Sequence, residues 1–361
     1  MFWELCGVLG AVGKETVPKR RSGGDLDALA FYLRYPSLTF EKISAKINGT
    51  FGKQEPFLLC VLVLGCIGSV FRIWKREEFM KPTPFVYADP RKCTACGACV
   101  RDCLAQILTL GADGVPRFVQ DGESRCFQCQ HCMAVCPSGA FSFGGKDPDD
   151  SLKYGPIPEP GHFLNLLRQR RSIRAYRREN AASEVLETLR RAMDFVPTGC
   201  NDHRLHFTWA DKFAVTDTFR RDTAQWLLER IDSGTLPDSI ARFAVLKERL
   251  ANGEDIFFRN APHFAAVSVP PDAKDAHIDP YIAAAQLELL ANSFGLGTCW
   301  AGMATDLFRE SAELLARLGI PEGWELRIVL LFGIPDVLYA RTPQPEPCPH
   351  RILGLEEISA E

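Results

Sequence analysis

Cys93-Thr-Ala-Cys96-Gly-Ala-Cys99-Val-Arg-Asp-Cys103 and Cys126-Phe-Gln-Cys129-Gln-His-Cys132-Met-Ala-Val-Cys136-Pro137 decide how this chain is read. Each run places three cysteines at two-residue gaps and a fourth three residues further on. Thiolates are soft ligands that suit iron–sulfur cubanes. Two-residue gaps let three sulfurs from one tight loop reach one cluster, while the fourth turns toward the other. The spacing therefore predicts two [4Fe–4S] clusters. One takes Cys93, Cys96, Cys99 and Cys136, and the other Cys126, Cys129, Cys132 and Cys103.

Structural zinc is the competing reading, but zinc sites pair two C-x-x-C units across a longer spacer and need no repeated four-cysteine run. Disulfides fit worse, because cysteines this dense in one loop have poor bridging geometry. The stretch from about residue 86 to 145 resembles a two-cluster bacterial ferredoxin. It departs from that pattern at Leu104, where such ferredoxins usually carry proline. The run repeats once at an offset of 33 residues, which matches the duplication of a ferredoxin.

The chain has 361 residues, room for two or three domains. Its net charge of −3 gives no bulk electrostatic case for nucleic acid. The remaining cysteines, Cys6, Cys60, Cys66, Cys200, Cys299 and Cys348, show no framework spacing. Cluster ligands must stay reduced, so a cytoplasmic setting is expected.

The first 79 residues are net basic and the remainder net acidic. Residues 57–71 are almost wholly apolar and are followed by Arg72, Lys75 and Arg76. A membrane span needs about 20 apolar residues. Counting on to Trp74, the run at 57–74 is short for one. Three readings stay open: a membrane anchor with the later domains in the cytoplasm, a buried or amphipathic helix, or a non-native stretch upstream of a start at Met80.

The expected parts are an N-terminal extension at 1–79, a cluster domain at 80–145, a Pro/Gly/Asp-rich linker at 146–161 and a last domain at 162–361. In that last domain a helix is expected over 163–169. Another is expected over 183–195, capped by Ser183. A third opens at Asp279-Pro280, with Asp279 as cap, and stops near Gly295. Strands are expected at 206–208, 263–269 and 325–332, and a proline-rich arm at 343–349. The mixture predicts an α+β fold, a central sheet flanked by helices.

Arg170, Ser172 and Arg174 alternate along one short segment. Two guanidinium forks and a hydroxyl can grip one phosphate, although basic clusters are more often solvated surface. Asn201, in Pro197-Thr-Gly-Cys-Asn201, can offer a donor and an acceptor to a ring edge, or merely make a turn. Phe294-Gly-Leu-Gly-Thr-Cys-Trp-Ala-Gly302 allows close backbone approach to a flat ligand, or simply ends a helix.

Together, in this order, these segments resemble the nitroreductase family of flavoenzymes, over about residues 163–355. The resemblance implies an FMN site in which Arg170, Ser172 and Arg174 bind phosphate and Asn201 meets the isoalloxazine edge. It also implies that Gly297, Thr298 and Gly302 line the flavin, and that Arg351 adds a late phosphate contact. Phe258-Arg-Asn-Ala-Pro262 and Phe332-Gly-Ile-Pro335 match further landmarks. After Asn201 the family's usual Ser-Gln-Pro-Trp is replaced by Asp202-His203-Arg204-Leu205. Cys200 and His203 are the weak catalytic candidates, each with a bland alternative as a packed thiol or a solvent-facing turn histidine.

The whole stretch at 86–355 resembles ferredoxin–nitroreductase fusions from anaerobic microbes. The resemblance implies a homodimer that takes electrons from a donor such as reduced ferredoxin. They would pass through two [4Fe–4S] clusters to FMN, which would reduce an electrophilic small molecule. Two alternatives remain: direct reduction of FMN by NAD(P)H with the clusters as outlet, and a non-catalytic electron carrier.

Overall fold

The computed structural model describes residues 85–354, all within one compact unit that begins at Pro84. The expectations placed on residues 1–79 and on Met80 lie outside the described residues.

The cysteine-bearing part is built from short pieces. β1 (Val86–Ala88), α1 (Ala98–Arg101), β2 (Leu108–Leu110), β3 (Pro116–Phe118), α2 (His131–Ala134) and β4 (Phe141–Phe143) follow in order. β1 pairs antiparallel with β4, Val86 opposite Phe143, so the two ends of this part close on one another. β2 and β3 form a second antiparallel ladder. The apolar core is small: Ala88, Cys99, Ile107, Leu108, Met133, Phe141 and Phe143. So thin a core contributes little folding energy by itself, and small domains of this kind draw stability from bound metal.

Residues 144–159 carry no helix or strand except a 3-10 turn at Pro148–Asp150, where Asp147 accepts from the Asp149 N–H. α3 (Pro160–Gln169) then begins inside the stretch read as linker, because proline's fixed φ suits a first helical turn. α4 (Ser183–Ala192) is shorter than expected, its last residues tightening into a 3-10 turn at Met193–Phe195. Ser183 is its first helical residue, not its cap.

β5 (His206–Ala210), α5 (Phe213–Ser233), α6 (Lys247–Ala251), β6 (His263–Val269), α7 (Asp279–Ser293), β7 (Gly297–Trp300), α8 (Gly302–Glu310), α9 (Ala312–Ala316) and β8 (Glu325–Gly333) complete the chain. The sheet runs β5-β6-β8-β7, and every neighbouring pair is antiparallel. The α+β architecture expected from the sequence is present. Both sheet faces are covered, which explains why β6 and β8 read as continuous apolar runs and not as alternating ones.

Side chains alternate across the pleat. Phe264, Ala266, Val329 and Leu331 join one core with Phe219, Leu227, Ile240, Leu307 and Phe308. Ala265, Val267, Ile328, Leu330 and Phe332 join the other with Leu186, Leu189, Ala283, Leu287 and Ala291. The alanines on α7 let that helix lie close against the sheet. Phe258, Phe264, Phe308 and Phe332 are fully buried, each worth roughly 2–3 kcal/mol of transfer free energy.

His263 opens β6 and is fully buried, stacked on Phe332. Its Nε2 accepts the Ala181 N–H at 2.9 Å, so protonation there would break the bond. Burial pushes the imidazole down from 6.5 to about 4. The unfolded chain takes up this proton near 6.5 and the folded protein only near 4. The stabilisation is complete above about pH 6.5 and is lost as pH falls toward 4, by an amount on the order of 3 kcal/mol. Denaturant unfolding across that window should show this slope, and His263→Gln should flatten it. An equal slope in the variant assigns the acid sensitivity to other groups.

Candidate functional site

The two cysteine runs fold alike. In the first, Ala95 and Gly97 flank Cys96 with φ of 52° and 69°. In the second, Gln128 and Gln130 flank Cys129 with φ of 56° and 59°. Left-handed residues on either side of the middle cysteine curl the loop inward, so that three thiols face a common centre. A one-turn helix, α1 or α2, follows each loop at the same offset.

Cys93, Cys96, Cys99 and Cys136 line one pocket, together with Ala88, Leu110 and Phe141. Cys126 lies within electrostatic reach of Cys129 and Cys103, and Cys132 of Cys129 and Cys126. Both groupings therefore take three thiols from one run and the last from the other. Every cysteine among the described residues is a free thiol. No three His, Cys, Asp or Glu among them converge as a single-ion site does; the thiols stand around a space. That arrangement and the all-sulfur donor set fit a polynuclear cluster.

Local hydrogen bonds tune these thiols differently. The Ala98 N–H and the Thr94 side chain lower Cys96. Burial raises Cys136, but the Ala140 and Ser138 groups outweigh it and the net direction is down. Burial raises Cys99 and Cys126, and pushes Cys132 up to about 12.

Arg170, Ser172 and Arg174 leave the end of α3 as extended chain. Ser172 bridges to Thr298 in parallel, and the Ile173 N–H donates to the Thr298 carbonyl at 2.8 Å. Arg170 Nη1 pairs with the buried Glu288 at 3.1 Å. Thr298 Oγ1 donates to the same Glu288 oxygen at 3.0 Å and receives Asn292 Nδ2 at 3.0 Å. Ser172 and Arg174 differ from Arg170: among the described residues neither side chain has a hydrogen-bond or ion-pair partner. Two positions apart on extended chain, they share one face, and an exposed guanidinium beside an uncommitted hydroxyl fits an anionic group. Tyr176 follows, buried, with its hydroxyl orphaned and its pKa raised by burial.

The loop at 199–203 is strained. Cys200, Asn201 and His203 hold φ of 53°, 58° and 52°. Such backbone costs roughly 1–3 kcal/mol per residue and persists only where the surroundings over-determine it. Here Gly199 N donates to both Asp279 oxygens at 3.2 and 3.1 Å, and His203 N donates to Thr198 Oγ1 at 2.9 Å. Asp279 thus ties this loop to α7 and does not cap its own helix, in which it is the first residue. A Cβ at Gly199 would collide with the Asp275 carboxylate. Arg204 binds Asp202 and Asp272. Asn201 Nδ2 donates to the Phe127 carbonyl at 3.2 Å, in the second cysteine loop. Its Oδ1 then faces His203 Nε2 at 2.9 Å, which assigns the imidazole proton to Nε2.

A 4Fe-4S dicluster domain model matches residues 66–140, and a nitroreductase family model matches residues 167–334. The chain joins a 4Fe-4S dicluster domain to a nitroreductase-family domain. Over 72 residues it is 36% identical to the Hdr-like menaquinol oxidoreductase iron-sulfur subunit 1 of Archaeoglobus fulgidus, covering 19% of this chain and 26% of that protein. The chain thus spans about a quarter of the length of that relative. Among solved structures, it is similar to an FMN-bound nitroreductase from Bacteroides fragilis at 22% identity and a TM-score of 0.44, over 53% of this chain and 98% of that one. It is similar also to an FMN-dependent nitroreductase from Clostridium difficile at 20% identity and a TM-score of 0.41, over 54% of this chain and all of that one.

Within the nitroreductase-family domain, two expected flavin-lining residues take another role. Gly297 is buried because a Cβ would come 2.5 Å from Ile173 Cγ1, and Thr298 is fully buried against Glu288. Both hold the Ser172 segment in place and have no surface left for a ligand. Gly302, at the start of α8, is exposed and faces open space. Cys200 and His203 are exposed on the strained loop. Arg351 lies in the exposed C-terminal arm, which has no helix or strand between residues 342 and 354. Glu288 was not singled out from the sequence; its signal there is a carboxylate set between Leu287 and Leu289.

Gly297→Ala should cost about 1–3 kcal/mol in thermal or denaturant unfolding, because Ile173 cannot retreat. Gly302→Ala, with nothing near its new methyl, should be close to neutral. Equal effects at both positions would contradict the packing described.

Proposed function

We propose that this protein is an iron–sulfur flavin oxidoreductase. The carrying observation is that one folded unit holds a four-thiol pocket and, at Ser172 and Arg174, a hydroxyl and an exposed guanidinium without partners among the described residues. Bound clusters relay single electrons, and bound FMN turns two of them into one reduction of an electrophilic small molecule such as a nitro compound, a quinone or an activated alkene.

The chain's own residues divide the remaining work. Arg174 and Ser172 bind the FMN phosphate, and Arg170 keeps the segment anchored through Glu288. Arg351 in the C-terminal arm is a further phosphate contact in this reading. Asn201 and Gly302 border the ring. His203 holds its proton at Nε2 against Asn201 Oδ1 on the exposed loop. Cys93, Cys96, Cys99 and Cys136 hold one cluster, and Cys103, Cys126, Cys129 and Cys132 the other. The donor in this reading is a reduced ferredoxin, and the compartment is the cytoplasm. A homodimer would cover Phe163, Leu164 and Leu167, which α3 leaves exposed.

Arg174→Ala should lower FMN retention through purification, and unchanged flavin content would refute the phosphate assignment. Cys129→Ala should remove the iron of one cluster and leave FMN bound; full iron content would show the ligand set to be wrong. The donor is tested by anaerobic mixing of the reconstituted protein with reduced ferredoxin, NADH or NADPH. Rapid flavin bleaching with ferredoxin alone supports the proposed route. Bleaching first with NADH or NADPH, with the clusters lagging, reverses it.

A further inference from the structure

The single hydrogen bond between Asn201 and the second cysteine loop reaches further than a docking contact. Its acceptor, the Phe127 carbonyl, belongs to the same peptide group as the Gln128 N–H. That N–H donates to Cys126 Sγ at 3.4 Å. One planar peptide is thus bonded on one side to a cluster thiol and on the other to the amide of Asn201. The left-handed φ of Gln128, 56°, turns its N–H back to the sulfur while the carbonyl faces outward. The Asn201 end is equally fixed, because its oxygen is taken by His203 and its backbone is held in the strained loop.

The internal repeat provides a control. The equivalent peptide in the first run is Thr94–Ala95, with the same left-handed residue at Ala95. Among the described residues, no donor reaches the Thr94 carbonyl, and no side chain of the nitroreductase-family domain hydrogen-bonds to the first run. The duplicated loops are alike in backbone but differ in what they face.

We propose that the Phe127–Gln128 peptide is the relay by which electrons leave the dicluster domain. The cluster held by Cys103, Cys126, Cys129 and Cys132 is then the exit cluster, and the one held by Cys93, Cys96, Cys99 and Cys136 receives electrons from outside. This rests on the reading above that the clusters feed the flavin. Each passage moves one electron from the exit cluster to the flavin, and two passages with one proton complete a two-electron reduction. The electrons are replaced one at a time by a low-potential carrier of the ferredoxin class, docking at the first run. Asn201 acts here as a positioning residue that holds the relay against the flavin domain.

The test uses the full chain with clusters reconstituted and FMN bound, reduced anaerobically by dithionite and followed at the cluster and flavin bands. Asn201→Leu should leave iron content and cluster reduction unchanged. It should slow cluster-to-flavin transfer about tenfold, the scale of one lost hydrogen bond. Independently of turnover, amide exchange in the peptide covering residues 126–130 should rise in that variant. Cys96→Ala should still pass electrons from the remaining cluster to the flavin, whereas Cys129→Ala should not. These two cysteine variants leave Asn201 intact and decide the cluster order even where Asn201→Leu loses FMN. Transfer that survives Cys129→Ala and fails in Cys96→Ala overturns the relay, as does wild-type exchange at residues 126–130 in Asn201→Leu. Flavin reduction at the wild-type rate in the double variant C96A/C129A would instead sink the parent reading that clusters feed the flavin.

Discussion

A buried carboxylate sits where three elements of the nitroreductase-family domain meet. Glu288, on α7, binds Arg170 at the end of α3 and receives the Thr298 hydroxyl from β7. Removing Arg170 is costly, because the buried Glu288 carboxylate is left without that compensation. The ion pair fixes where the chain leaves α3, and the Ser172–Thr298 bridge fixes its direction. Gly297 lets Ile173 seat against β7. The course of the Ser172–Arg174 segment therefore depends on a polar knot in an otherwise apolar layer. Arg170 is committed to Glu288, and the neighbouring Arg171 lies over the Tyr339 ring.

The residues with chemical signatures were legible in the sequence, and their local partners were not. The thiol spacing pointed to the same neighbours that the fold brings together, because a tight loop leaves few ways to arrange three sulfurs. Buried strands were legible at β6 and β8 because long apolar runs bounded by Pro or Gly have few alternatives. Asp279 and Ser183 were misassigned as caps for a physical reason. A capping residue must lie outside the helix, and both of these lie inside. For Asp279 a tertiary acceptor role toward Gly199 replaced the local one. Gly297 read as room for a ligand, but the space it creates is filled by Ile173, a neighbour distant in sequence. Glu288 and the Asn201–Phe127 contact join residues far apart in the chain, and no periodicity reports them.

The 199–203 loop shows how strain and function meet. Three non-glycine residues in left-handed backbone are tolerated because Asp279, Thr198, Arg204 and Asp272 each hold one part of the loop. The result is a rigid presentation of Asn201 with one donor already spent on the dicluster domain and its acceptor on His203. The loop is thus tied to the dicluster domain through a side chain whose position is already fixed.

The small core of the dicluster domain has a consequence for the life of the protein in the cell. Few apolar side chains are buried there, and the thiols gather around the space that clusters would fill. Such a module has no robust empty form in which to wait. Its biogenesis is therefore coupled to metallocluster delivery. Oxygen damage to the inorganic core converts directly into exposed chain that proteases can cut.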